Sequence, residues 1–488
     1  MGIKSILKVY SSNKLLVWSL VIAAIWYGLI SFVNHYCFRT YSLDLGLYTN
    51  ALYDYAHFQL NDSLTFKETT ENLLSDHFDL YLPLLSPLSY LFGSYTLLLV
   101  QIISILFGAI GIYKLVEKWM PASKMKHYAL LYFLFFFSNF TSLAFDYHSN
   151  IVASMFVPWL FLAFHNKEWK KAWLFLVVIL IAKENMSLWM VFVTSGMVWI
   201  FRKDKSASRH ALWMCFVAFI YFVLIFGFVM PLLSHSGKYA HFHYSILGTN
   251  VRESIVYLVT HPIESFRLLF INHQGDPLYD YVKAEVWIFI GVLGCLMIRK
   301  PVYLWMLIPI FGQKMYNDNP SMWGVQGQYT IEFAPILTIA VFDVIRTFNT
   351  EKLKKYTAIF MLLLSVVSAI RVMDNTYSYV EKARIRIYKK AHYNREFSIP
   401  KAYKVISKIP EGAAISAQSA FVPHVALRDT VYTFPHIGQA NYILLSPVDN
   451  PYPITPEVFT HKTDSLLHDI HWETIYHSTE FILLKRKK

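Results

Sequence analysis

The sequence predicts an α-helical polytopic membrane protein with a small α/β unit near its C-terminal end. Three observations carry this. Apolar residues make up 55% of the chain and charged residues only 16%, with a mean hydropathy of +0.38, a balance foreign to a soluble chain of this length. Lysines and arginines gather in every second loop between the apolar runs. After about residue 373 the long apolar runs stop and short β-type runs begin.

Taken in order, Lys4, Lys8 and Lys14 precede a first apolar run over 15–33. It is too long for a signal-peptide core and has no small-x-small cleavage site, so it reads as a retained helix. Further spans are expected at 95–115, 128–145, 151–165, 172–182, 186–201, 211–233, 286–298, 302–312, 331–345 and 357–372. About 11 transmembrane helices put the two termini on opposite sides. Basic residues follow the even-numbered spans: Lys114, Lys118, Lys124 and Lys126; Lys167, Lys170 and Lys171; Arg202, Lys203, Lys205 and Arg209; Arg299 and Lys300; Arg346, Lys352, Lys354 and Lys355. The positive-inside rule assigns these loops and the N-terminus to the cytoplasm. The net charge of +12 is then explained with no nucleic-acid partner.

The outer loops become 34–94, 146–150, 183–185, 234–285, 312–330 and everything after about 373. Between Arg39 and Asp79 seven acids face two bases, the reverse of the cytoplasmic loops. Residues 251–270 have apolar positions at partly helical spacing broken by Pro262, as in an interfacial segment. Trp287 and Trp323 suit interfacial anchors. The division expected is 1–373, a transmembrane domain with catalytic outer loops (34–94 and 234–285), and 374–488, an extracytoplasmic α/β domain. In the latter, 374–402 reads as a helix or connector. Strands are expected near 412–417, 431–434 and 442–445, and as a terminal hairpin at 473–476 and 481–484. Cys37, Cys215 and Cys295 show no paired or metal-type spacing.

Nearly all the unusual polar residues fall on the outer side. Asp44, in Tyr41-Ser42-Leu43-Asp44-Leu45-Gly46, opens the acidic loop. A carboxylate at a membrane-facing cleft can take a proton from an attacking hydroxyl or bind a divalent metal; an Asp before apolar residues is equally a helix N-cap. Gly46 would allow a sharp turn or a close backbone approach. Asp76-His77 closes the loop, and Asp146-Tyr147-His148 forms a very short one. His77, Asp146 and His148 supply three donors of zinc-ligand type without a diagnostic spacing. Lys183-Glu184 interrupts an apolar stretch, where ionisable groups are costly; neighbours on a helix do not face each other, so one needs another partner, and Lys183 suits a phosphate. Gln326 and Tyr329 precede a span that holds Glu332, which also suits a helix start. His235, His241, His243, His261 and His273 make the long outer loop rich in histidine, with no metal-motif spacing. No nucleotide-binding glycine motif and no nucleophile elbow are present, so a soluble nucleotide donor is not expected.

Taken together, Leu43-Asp44-Leu45-Gly46 with Asn50-Ala51-Leu52, His77-Phe78 with Pro83 and Pro87, Gln101, Asp146-Tyr147-His148, Lys183-Glu184, His261-Pro262, Tyr329 with Pro335, and Ile409-Pro410, Phe434-Pro435 and Tyr442-Ile443-Leu444 form an ordered set. The set resembles the DUF2079 family of predicted membrane proteins, placed in the GT-C glycosyltransferase superfamily. That resemblance implies a GT-C-like fold. It implies transfer of a hexose or pentose from a polyprenyl-phosphate-linked donor to a glycan, lipid or protein acceptor, at the outer face of the cytoplasmic (inner) membrane. Asp44 would hold the first-loop acid position and act as general base. Lys183, with His77 or His148, would stabilise the departing lipid phosphate; Asp146, Glu184, Gln326 and Tyr329 would line the substrate site. Asp44 is followed by Leu-Gly where the superfamily often has a second acid, so a divalent metal is left open. Two other readings compete. A lipid or solute transporter or flippase predicts polar residues at mid-span and related halves. A non-catalytic envelope assembly factor predicts that Asp44 is dispensable and the C-terminal unit is not.

Overall fold

Helices in the computed structural model, which describes residues 13–237, 239, 241–379 and 381–487, cover all eleven predicted spans. Lys4 and Lys8 of the expected N-terminal basic cluster lie outside the described residues. Four helical stretches are long and apolar enough to cross a membrane as continuous pieces: Lys14–Tyr36, Tyr81–Trp119, Lys205–Leu233 and Glu351–Asp374. The rest are shorter or broken. The 128–145 segment divides at Phe135-Phe136 into Met125–Leu134 and Phe137–Leu143, and the 151–165 segment divides ahead of Pro158 into Ser149–Ser154 and Val157–Asn166. The count of about eleven crossings therefore rests on the charge alternation of the loops, not on helix length.

The largest apolar core joins the first helix to the segments between Thr96 and Met197 and to those between Val286 and Met373. Small residues permit the closest approaches. A Cβ on Gly196 would lie 2.5 Å from the Met306 side chain, and one on Gly108 would lie 2.7 Å from Met155. The helices Lys205–Leu224 and Val251–Thr260 instead expose Leu212, Trp213, Phe216, Ile255 and Val259, the side-chain chemistry of a lipid-facing surface. The 251–270 segment is two short helices, Val251–Thr260 and Pro262–Leu268, parted at His261-Pro262 because proline fits the first turn of a new helix and not the interior of an old one.

The C-terminal strands come where the β-type runs place them. β1 (Ile415–Ala417), β2 (Val431–Thr433), β3 (Tyr442–Leu445), β4 (Trp472–His477) and β5 (Ile482–Arg486) form one sheet in the order β2-β1-β3-β5-β4. β1 pairs in parallel with β2 and β3, and β5 runs antiparallel to both β3 and β4. The sequence reading lacked the helix Pro456–His468 that crosses between β3 and β4. Between the last long helix and the sheet the chain makes short 3-10 turns and the helix Ile399–Ile406.

One contact decides where the candidate site lies. Cys37 and Phe38, just past the first helix, are buried in the same apolar cluster as Phe397, Phe421, Val422 and Phe481. The 34–94 loop is thereby sandwiched between the helical core and the C-terminal unit.

Candidate active site

Asp44 sits in a single π-turn, Ser42–Gly46, that leads into the helix Leu47–Ala56. It is no N-cap: its position inside the turn leaves the carboxylate free for other contacts. The turn is held from both sides. On the core side, the Asp146 carboxylate accepts the backbone N–H of Tyr41 at 2.8 Å and faces that of Leu45 at 3.5 Å. Its other oxygen pairs with Arg384 at 2.9 Å. On the C-terminal side, the Ser42 backbone N–H donates to Ser419 Oγ at 3.2 Å, and Asn50 donates to the carbonyls of Ala426 and Arg428. Gly46 is explained here: a Cβ would stand 2.8 Å from the Val422 side chain. The close approach its sequence suggested is to another part of this chain.

His148 reaches Asp44 from the short loop before Ser149, with Nε2 3.3 Å from Asp44 Oδ1. Its ring is set by neighbours. The backbone N–H donates to the buried Gln101 at 3.1 Å, and Nδ1 faces the Asp146 carbonyl at 3.3 Å. Burial alone would raise the Asp44 carboxyl. The opposing pull of His148, then Lys183 and His77, prevails and holds it below the ordinary carboxylate range, so at neutral pH it is a carboxylate.

Lys183 occupies the N-cap position of the helix Glu184–Ile200 in an extended conformation. Among the described residues its ammonium has no hydrogen bond and no ion pair, although it is near enough to act on the charges of Asp44, His77 and Glu184. Glu184 is buried and fully used: it accepts His77 Nδ1 at 3.1 Å, the Phe78 backbone N–H at 3.2 Å and the Tyr239 hydroxyl at 3.0 Å. A backbone bond from Leu80 to the Ile181 carbonyl fixes the end of the first loop beside this turn. Glu184 thus takes its partners from other parts of the chain, as the helix geometry required.

Tyr329 lies near enough to Asp44 for the carboxylate's charge to act on its hydroxyl. Its loop is laid over the short His148 loop: Ser142 donates to the Gly327 carbonyl, and Asn150 donates to Glu332 at 2.8 Å. Gln326 is half-buried on that loop and makes no hydrogen bond among the described residues.

The zinc-type trio that His77, Asp146 and His148 could have supplied does not form, because the Asp146 carboxylate is spent on Tyr41, Leu45 and Arg384. Among the described residues the one group that could hold a metal is Asp76, His77 and His241, with donor atoms within 4.8 Å of one another. His241 and Tyr239 come from the 234–285 loop, and no local pattern singles out either from its companions. Arg384 was likewise missed: a lone arginine in a basic stretch carries no signal that it will be buried against an acid 238 positions away.

The fold and these loops define a helical membrane protein with a cluster of ionisable side chains between its helical core and its C-terminal unit. The chain belongs to the DUF2079 family of predicted membrane proteins, whose family model matches residues 34–483. No curated protein matches it. Among solved structures, it is similar to ArnT from Cupriavidus metallidurans bound to undecaprenyl phosphate, at 11% identity and a TM-score of 0.48, covering 97% of this chain and 98% of that one. It is also similar to the Archaeoglobus fulgidus oligosaccharyltransferase tethered to an acceptor peptide, at 11% identity and a TM-score of 0.42, covering 90% of this chain and 70% of that one.

Proposed function

We propose that this protein is a membrane glycosyltransferase that moves a sugar from a polyprenyl-phosphate-linked donor to an acceptor hydroxyl at the outer face of the cytoplasmic membrane. Residues 1–373 would carry the reaction and 374–488 would cover it from outside. The observation that carries the reading is an ionised Asp44, held 3.3 Å from His148, near a lysine that has no hydrogen bond or ion pair among the described residues. Such a pair suits a reaction in which a proton leaves one oxygen while negative charge grows on another.

In this reading Asp44 accepts the proton of the acceptor hydroxyl as that oxygen attacks the anomeric carbon. The bond from that carbon to the lipid phosphate oxygen breaks, and its electron pair leaves with the phosphate. Lys183 meets that charge, with preorganised attraction that needs no rearrangement during the step. His148 holds the carboxylate in place, and Asp146 with Arg384 holds the turn on which Asp44 stands. Tyr329 would line the sugar's side of the cleft.

The test uses the full chain in lipid nanodiscs with a polyprenyl-phosphate-linked sugar and candidate acceptors. The expected result is acceptor glycosylation matched by release of free polyprenyl phosphate. Asp44→Asn should lower turnover by about 10²–10⁴-fold, the usual range for removing an acid–base group. Undiminished turnover in folded Asp44→Asn would remove Asp44 from the mechanism. Movement of donor lipid across the bilayer with no covalent product would favour a flippase instead.

A further inference from the structure

Beside the proposed transfer centre lies a second cluster with a different composition. Asp76 and His77 end the first outer loop, and His241 comes from the long loop more than 160 positions later. The two imidazoles stack with centroids 4.3 Å apart and planes 16° from parallel. His241 Nε2 stands 3.2 Å from Asp76 Oδ1 in an ion-pair contact, and among the described residues that buried nitrogen has no partner that meets the geometry of a hydrogen bond. A buried polar atom left in this way is costly, and its lone pair is available.

His77 is prepared in a complementary manner. Its Nδ1 is engaged by the buried Glu184 carboxylate at 3.1 Å, which leaves Nε2 as the free donor atom. A carboxylate behind a ligating histidine fixes the tautomer and strengthens the ligand. The neutral imidazole is the form that binds metal. Two cations oppose the arrangement: Lys183 is near enough for its charge to act on His77, and Lys67 Nζ lies 3.5 Å from Asp76 Oδ1, although its close partner is Glu71 at 2.5 Å.

We infer that Asp76, His77 and His241 form a zinc-binding clasp that fastens the long outer loop to the first outer loop. Two imidazole nitrogens and one carboxylate oxygen suit Zn²⁺ better than the all-oxygen preference of Mg²⁺ or Ca²⁺. Zinc bonds of about 2.0–2.1 Å put tetrahedral ligands about 3.3 Å apart. Donor atoms already within 4.8 Å of one another need only draw in and splay the stacked rings. Asp44 is not one of the clasp's ligands.

The test is equilibrium binding of zinc to tag-free, chelator-stripped full-length protein in nanodiscs, with bound metal counted by elemental analysis. Wild type should take up one zinc per chain and melt at a higher temperature with zinc than without. Asp76→Asn and His241→Ala should each weaken binding at least tenfold and lose the thermal shift, and His241→Cys, which restores a ligand, should recover much of both. Asp44→Asn should bind zinc like wild type, so that a failed transfer mechanism and a failed clasp give different results. Wild type retaining under a tenth of an equivalent, or His241→Ala binding as wild type does, would overturn the inference.

Discussion

The two ends of the helical core hold charged clusters of opposite design. At the end assigned to the cytoplasm by its basic loops, the buried Asp343 carboxylate meets Lys300 at 2.6 Å and the Tyr303 hydroxyl at 2.7 Å, and also pairs with Arg346. Arg346 in turn lies 4.7 Å from the centre of the Trp119 ring. Within that cluster Asp343, Lys300 and Arg346 each meet an opposite charge at contact distance. At the other end Asp146 with Arg384 is closed in the same fashion, but Asp44 has only a histidine edge, and Lys183 has no contact partner among the described residues. A cluster that neutralises itself holds a structure together. One that leaves a cation and a carboxylate poised near each other has capacity for a substrate.

The largest effect expected from this contrast is on stability. Asp146→Ala strands Arg384, which is 6% exposed, as an uncompensated buried charge, at a cost of about 3–5 kcal/mol. Chemical denaturation in detergent should read that loss, and Asp146→Asn combined with Arg384→Met should recover much of it. Lys183→Ala should behave in the opposite way. With no ion pair to lose, it should unfold like wild type within ~0.5 kcal/mol, while transfer falls by roughly 10²-fold, near the loss seen when one charge-stabilising donor is removed.

The smallest effect expected is a dependence on pH. Asp79 is buried beside this cluster, and burial pushes its carboxyl up to about 7 against the pull of the Tyr81 backbone N–H, Ser149 and Lys183. An acid whose folded value lies above its unfolded value of about 4 binds the extra proton only when folded. Its contribution to stability is therefore fully present below pH ~4 and declines as pH rises to ~7. Asp79→Asn should raise the melting temperature at pH 8 and leave it little changed at pH 4. Asp76 has the opposite sign. Burial would raise it, but His241, His77 and Lys67 outweigh burial and hold it well below the ordinary range, so its contribution is present at neutral pH and is lost as pH falls below ~4.

The sequence made the membrane class and the C-terminal strands legible, because hydropathy and period-two runs are local signals. Asp44, His148 and Lys183 were also legible, as ionisable residues beside apolar runs. The part played by Asp146 was not. Its carboxylate is taken by backbone amides 101 and 105 positions away and by Arg384, and no local pattern encodes a partner at that separation. Gly46 shows the same limit: its sequence announces a close approach, but only the fold identifies Val422 as the neighbour. His241 was one of five loop histidines until the chain path brought it against Asp76 and His77.

The measurement closest to the central claim is a pair of single-turnover transfer rates, for Asp44→Asn and Asp343→Asn, at matched amounts of folded protein in nanodiscs. The account predicts a fall of at least 10²-fold for Asp44→Asn. For Asp343→Asn it predicts a lower melting temperature and a rate per folded molecule within about twofold of wild type. Equal rates in the two variants, or a greater loss at Asp343, would contradict the assignment of chemistry to the outer end and structure to the inner one.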